Sequence, residues 1–329
     1  MNRQPTTVNP PPSTANHQLS IVALAGGVGG AKLADGLARC LPAEKLSVIV
    51  NTGDDFEHWG LKICPDLDTV CYTLAGLANA ETGWGRAKET FQALEAVSSL
   101  GGPDWFRVGD RDLATHLERT RRLRNGQSLS RITQEFCRAW HIGPTVLPMT
   151  DQPVATIVDT REQGELSFQE YFVHQQCAPR VLGFRFDGIE AAQPAPGVLE
   201  RIQSADAVVF CPSNPWVSLD PILNIASVRP ALAGKCVVAV SPIIGGKTVK
   251  GPAAKMFAEL GIEPSALAVA KHFGRTLSGF VLDQIDNAFA DEVQKLGIRP
   301  LVTSTIMKNE QERQRLAQDV LHFVERLAA

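Results

Sequence analysis

Four aspartates crowd into one short polar stretch. Asp54 and Asp55 close an Asn-Thr-Gly-Asp-Asp run at 51–55, Asp66 and Asp68 sit in a Pro-Asp-Leu-Asp-Thr run at 65–69, and His58, Trp59 and Gly60 lie between them. Clustered carboxylates suit two kinds of chemistry: holding a hard cation through oxygen ligands, and orienting or deprotonating a hydroxyl. Each acid taken singly also has a plainer reading, with Asp54 and Asp55 as a turn and Asp66 or Asp68 as the cap of a helix starting near residue 67. Their shared place decides for function. They follow an apolar run at 46–50 that reads as a buried parallel strand, and in open α/β sheets ligands bind beyond the carboxyl ends of the strands.

A second loop of this kind comes earlier. Residues 21–25 form a short apolar strand, Gly26, Gly27, Gly29 and Gly30 make a glycine turn, and 31–40 carries apolar residues at helical spacing. That order exposes backbone N–H groups at a helix N-terminus, where a phosphate binds well. The turn is not a P-loop, since Lys32 is not followed by Ser or Thr, and it lacks the dinucleotide glycine spacing. A purely structural turn explains the same glycines equally well. Two more strand ends add weight: 207–211 runs into Ser213, Asn214 and Pro215, and 236–240 into a loop with Gly245, Gly246 and Lys247. Ser-Asn-Pro can be a capped turn and Gly-Gly-Lys an ordinary loop, but three such loops at three strand ends favour a nucleotide cleft.

The elements behind these loops alternate strand and helix, which predicts an α/β fold: a three-layer, Rossmann-like parallel sheet with a helical insertion and a β-hairpin. The insertion is expected near 69–143, with helices at 69–79, 86–98, 111–123 and 129–140, and with Arg119, Arg121, Arg122 and Arg124 on a solvated helix face. The hairpin is expected from 154–160 and 165–173, and the chain closes with a strand at 301–304 and a helix at 309–327. Residues 19–329 read as one domain and 1–18, rich in Pro, Thr, Asn and Gln, as a disordered tail without the apolar core of a signal peptide. The net charge is −3 and well mixed, with two tyrosines and no basic stripe, which argues against nucleic acid. No apolar run approaches the roughly 20 residues of a membrane span. Seven cysteines without a C-x-x-C pair read as reduced thiols of a cytoplasmic protein, and Cys64 as a small buried hydrophobe. The histidines lack zinc spacing, so oxygen-rich magnesium chemistry suits the acids better.

Together the motifs resemble the 2-phospho-L-lactate transferase family of coenzyme F420 biosynthesis. The resemblance rests on the glycine loop, the two acidic runs, Gly-Asp-Arg-Asp-Leu-Ala-Thr-His at 109–116, Leu-Pro-Met-Thr-Asp at 147–151, Pro-Ser-Asn-Pro at 212–215 and Ser-Pro-Ile-Ile-Gly-Gly at 241–246. It implies transfer of a phospho-acid from a GDP-linked donor to the ribityl hydroxyl of the deazaflavin Fo, with release of GMP and Mg2+ as cofactor. It also implies that Asp68 and Arg107 contact Fo and that Asp55 stands beside the metal. On this reading Asp55 and Asp68 are the catalytic acids, Asp54, Asp55 and Asp68 surround magnesium, and Gly26, Gly27, Gly29, Gly30, Ser213, Asn214, Pro215, Gly245 and Gly246 hold the donor nucleotide. Trp59, Trp84 and Trp105 are candidates to stack on the deazaflavin, or to serve as core or lid packing. A cytoplasmic homodimer is the expected assembly. The donor acid stays open among 2-phospholactate, phosphoenolpyruvate and 3-phosphoglycerate. The alternative is a regulatory protein of the same fold that binds a uridine-linked sugar nucleotide. A nicotinamide oxidoreductase fits poorly, because no ribose-binding acid follows strand two within a full glycine fingerprint.

Overall fold

The structure, a computed structural model, describes residues 18–328. All but the last residue of the expected tail thus lies outside the described residues. The centre is a seven-stranded sheet: β1 (Ile21–Ala25), β2 (Leu46–Val50), β3 (Thr145–Pro148), β4 (Ala207–Phe210), β5 (Cys236–Val240), β6 (Gly279–Asp283) and β7 (Arg299–Thr303). Every pairing is parallel and the spatial order is β7-β6-β5-β4-β1-β2-β3. This contains the doubly wound order in which the chain turns from one half of the sheet to the other between β1 and β4.

Strand periodicity divides the core into two layers. Val22 and Leu24 of β1, with Val208 and Phe210 of β4, join one apolar cluster, whereas Ile21, Ala23, Ala25, Ala207 and Val209 join the other. A parallel sheet buried on both faces explains why these strands are continuously apolar. The second layer is built by α1 (Gly27–Ala38), α2 (Pro65–Leu74) and the closing helix Glu310–Ala328. The insertion between β2 and β3 adds α3 (Gln92–Ser99), α4 (Asp110–Arg124) and α5 (Leu129–Ala139).

Several local expectations shift. α2 starts at Pro65, a favoured first helical residue, and stops at Leu74, just ahead of Gly76 at φ +67°. The helix expected from 86 begins only at Gln92, because Gly83, Gly85 and Lys88 adopt positive φ. The hairpin of Ala155–Thr160 and Gly164–Ser167 gains a third strand, Val181–Asp187, and the chain after Ser167 winds into a π-helical turn at Glu170–His174 instead of extending to 173. A small hairpin, Phe56–His58 with Leu61–Ile63, turns through Trp59 and Gly60, both at positive φ. It folds the two acidic runs back toward each other.

Candidate active site

The loops after β1 and β4 meet at the turning point of the sheet. Ser213 secures both backbone groups of one residue: Gly26 N–H donates to its Oγ at 3.1 Å, and the hydroxyl donates to the Gly26 carbonyl at 2.8 Å. A Cβ at Gly29 would fall 2.2 Å from the Pro212 carbonyl oxygen, one at Gly30 2.6 Å from Ser213 Oγ, and one at Gly26 2.5 Å from Asp66 Oδ2. Close approach of the chain to itself therefore accounts for these three glycines. Gly27 differs, since its φ is +64° and its nearest neighbour would be Asp66 Oδ1 at 3.6 Å. There the backbone conformation requires glycine.

The other expected nucleotide residues also have internal roles. Asn214 caps a π-helical turn, Pro215–Leu219, by accepting from Trp216 N–H at 3.1 Å, and Pro215 is buried at its start. Gly245 and Gly246, at φ +56° and +75°, form the turn between the short strands Ile243–Ile244 and Lys247–Thr248. The N–H of Gly245 lies 3.1 Å from both carboxylate oxygens of Asp286.

The acids converge on a fully buried Asn51. Its Nδ2 faces Asp54 Oδ1 at 3.1 Å, Asp66 Oδ2 at 3.0 Å and the Val217 carbonyl at 3.1 Å, while its Oδ1 accepts from Gly53 N–H at 2.8 Å. Gln169 donates to Asp54 Oδ2 at 3.2 Å. Asp66 also accepts from the backbone of Gly27, which ties the acidic loop to the start of α1. Burial pushes Asp66 up to about 6. Burial, followed by the neighbouring Asp66 and Asp55 charges, drives Asp54 well above the usual carboxylate range. Burial raises Asp55 too, against the opposing pull of Lys62, whose Nζ lies 3.3 Å from Asp55 Oδ2. Asp55 Oδ1 and the hydroxyls of Thr52 and Thr156 are buried without hydrogen-bond partners. Three buried acids with one lysine among them are short of positive charge, and an orphaned carboxylate oxygen and hydroxyls are hard donors. The donor chemistry suits magnesium, which is often held by one or two carboxylates with water, and three ligand atoms within 4.8 Å of one another occur among the described residues only at Asp68, Asp112 and His116.

Asp68 stands apart from them. Arg119 grips it with both guanidinium ends, Nη1 to Oδ2 at 3.0 Å and Nη2 to Oδ1. Arg119 is 2% exposed, so its assignment to a solvated face is corrected: Thr115, His116, Arg119 and Thr120 form the buried stripe of α4, while Arg121 and Arg124 stay outside. His116 Nδ1 lies 3.3 Å from Arg119 Nη1, and Nε2 lies 3.4 Å from Asp112 Oδ2. Asp112 in turn accepts from Tyr72 at 2.6 Å. Asp68, Asp112 and His116 bring potential ligand atoms within 4.8 Å of one another, but the guanidinium already occupies both oxygens of Asp68. Asp66, and not Asp68, is the acid that shares Asn51 with Asp54.

Arg107 is exposed, stacks 4.6 Å from the Phe91 ring centre, and lines an open cavity of about 470 Å³ with Leu94, Glu95, Ser98, Ser99 and Asp104. Trp105 and Trp59 belong to an aromatic group with Phe56, His58 and Phe106, and Trp105 stacks on His174 at 5.1 Å. Trp84 is 45% exposed on the irregular stretch before α3. Sequence reasoning assigned no role to Asn51, Lys62, His116 or Gln169. Polar residues at 115, 116, 119 and 120 share one helix face, and that spacing was the available sign for His116 and Arg119; Gln169 offers none.

The family model described as 2-phospho-L-lactate transferase CofD matches residues 21–319. The chain belongs to this family. A Streptomyces griseus relative named phosphoenolpyruvate transferase is 44% identical over 318 residues, covering 94% of this chain and 100% of the relative. A Methanosarcina acetivorans relative named 2-phospho-L-lactate transferase is 38% identical over 301 residues, covering 92% and 98%. Among solved structures, a Bacillus halodurans protein described as a member of the UPF0052 family superposes with a TM-score of 0.58 at 13% identity, over 92% of this chain and 98% of that one. This last likeness concerns the fold alone. As a CofD family member the protein is a transferase with a Rossmann-like α/β fold, and no helix among the described residues is long and apolar enough to cross a membrane.

Proposed function

We propose that the protein transfers the phospho-acid half of a guanylyl-linked donor to the ribityl hydroxyl of Fo in F420 biosynthesis, and that the acid is phosphoenolpyruvate. The reading is carried by the buried group of Asp54, Asp55 and Asp66, set against the glycine loop at the turning point of the sheet. In the transfer, the hydroxyl oxygen bonds to the phosphorus bearing the acid, the bond from that phosphorus to the GMP oxygen breaks, and the hydroxyl proton passes to the Asp68 carboxylate. Such a displacement needs in-line positioning and neutralised phosphoryl charge more than covalent help. Asp54, Asp55 and Asp66 are the acids that would hold magnesium, which when bound would supply that neutralisation. Asp68 and Arg107 address the acceptor, and the glycine loop with Ser213–Pro215 and Gly245–Gly246 addresses the nucleotide. A cytoplasmic homodimer belongs to the same proposal.

The donor choice is supported by relatives named phosphoenolpyruvate transferase at 41% to 46% identity, against 38% for those named 2-phospho-L-lactate transferase. Mass spectrometry of the product from Fo and each of the three guanylyl donors tests it. The enolpyruvyl donor is expected to give the most product, a preference for another acid overturns the donor assignment, and no product from any donor overturns the transferase chemistry proposed.

A further inference from the structure

The buried residues of α4 are Thr115, His116, Arg119 and Thr120, all polar on the face that a structural helix fills with Leu or Ile. They form one connected array. The Tyr72 hydroxyl donates to Asp112 Oδ1 at 2.6 Å and lies 2.8 Å from Thr115 Oγ1, Asp112 faces His116, His116 faces Arg119, and Arg119 clamps Asp68. Arg119 Nη1 also points at the Lys62 carbonyl at 3.4 Å, and Lys62 pairs with Asp55. The clamp thereby joins both acidic runs. A buried ion pair adds little stability compared with apolar residues of the same volume, so stability alone is a weak reason for this arrangement.

The geometry points to Arg119 and His116 as positioning residues that fix the direction in which Asp68 presents itself to the acceptor; this rests on the transfer to Fo proposed above. A guanidinium fork takes one lone-pair direction on each carboxylate oxygen and leaves the other on each free. With its inner edge held, Asp68 offers its remaining acceptor sites in a fixed plane, suited to a ribityl hydroxyl. His116 sets the position of the fork, and Asp112, itself held by Tyr72, flanks the other side of the ring at 3.4 Å from Nε2 without a hydrogen bond to it. Asp68 thus serves the acceptor, and the metal is left to the other acids.

The test uses Arg119→Lys, which keeps the charge and loses the fork. Fo binding is followed by fluorescence titration without turnover, alongside the donor KM and the Mg2+ concentration for half-maximal rate. The Fo Kd is expected to rise about tenfold, the scale of one charge-assisted hydrogen bond, with the other two quantities unchanged. Should Arg119→Lys fail to fold, Tyr72→Phe removes the outermost hydrogen bond with the ring kept, and about a threefold rise in Fo Kd is expected. An unchanged Fo Kd in the folded variant makes the array structural only and overturns the inference. A raised Mg2+ requirement at unchanged Fo affinity overturns it in favour of Asp68 as a metal ligand. Wild-type protein that binds donor nucleotide but no Fo overturns the acceptor reading, and the inference with it.

Discussion

Replacing Asp66 by Asn isolates the electrostatic cost of the acid cluster. The side chain keeps its shape, and its Oδ1 can still accept from Gly27 N–H or Asn51, but the charge beside Asp54 is gone. Because burial raises Asp66 from 3.8 to about 6, the folded state holds this proton more tightly than the unfolded chain does. The stability linked to it is fully present below pH 3.8 and is lost as pH rises through about 6. A shift of about two units at 1.36 kcal/mol per unit amounts to ~3 kcal/mol as an upper figure. Without divalent cation, wild type and Asp66→Asn should have similar stability near pH 4, and the variant should be more stable by up to ~3 kcal/mol at pH 8. Urea unfolding of both proteins in chelator, from pH 4 to 8, reads this difference while cancelling groups common to both. Magnesium should reverse the ranking at pH 8, since ionised wild-type carboxylates bind it and the variant lacks one of them. A stability difference that stays flat across this range, or a variant less stable at pH 8 in chelator, refutes the account of Asp66 as a carboxylate held above its ordinary range by burial.

The glycine loop offers a matched pair. Gly29→Ala drives a methyl into the Pro212 carbonyl and should lower stability by ~2 kcal/mol or more, whereas Gly27→Ala has room and should cost ~1 kcal/mol of backbone strain; thermal melts with and without GDP check both, and equal melts would remove the steric argument. Asp55→Asn should cut turnover by orders of magnitude and abolish stabilisation by Mg2+, so full activity of this variant in excess chelator excludes the metal role. Arg107→Ala should raise the KM for Fo and leave the donor KM in place, because its guanidinium is exposed at the insertion; steady-state kinetics with each substrate varied in turn decides it.

Most of the parallel sheet was legible because β1, β2, β4 and β5 are short, almost wholly apolar and run into loops of Gly, Asn or Ser, whereas β6 (Gly279–Asp283), a central strand between β5 and β7, went unread. The acidic runs were legible because their polar residues follow directly on such a strand. Hidden from the sequence was the partition of the acids. Asp66 and Asp68 lie two residues apart in the first turn of one helix, yet Asp66 turns to Asn51 and Asp68 to Arg119, a choice set by α4 from some fifty residues away. Arg119 looked solvated because a run of arginines on a helix gives no hint of which member turns inward; only the polar stripe at 115, 116, 119 and 120 carries that information. The two π-helical turns escaped for another reason. An extra residue in a helical turn is fixed by what the chain must reach, here Gln169 reaching Asp54 and the Val217 carbonyl reaching Asn51.

Asn51 has two amide hydrogens and three acceptors in reach. At any instant one of them is underserved or shares a hydrogen, so the amide cannot settle the demands of both acids and the backbone together. This frustration keeps the cluster ready to exchange partners: a cation that takes over one carboxylate frees a hydrogen for another, and the carboxamide need not move to accommodate the change. Asn51 acts as a buffer for hydrogen bonds. Replacing it by Asp, nearly identical in shape, would place a fourth acid at the focus of the others and turn the shared donor into a competitor.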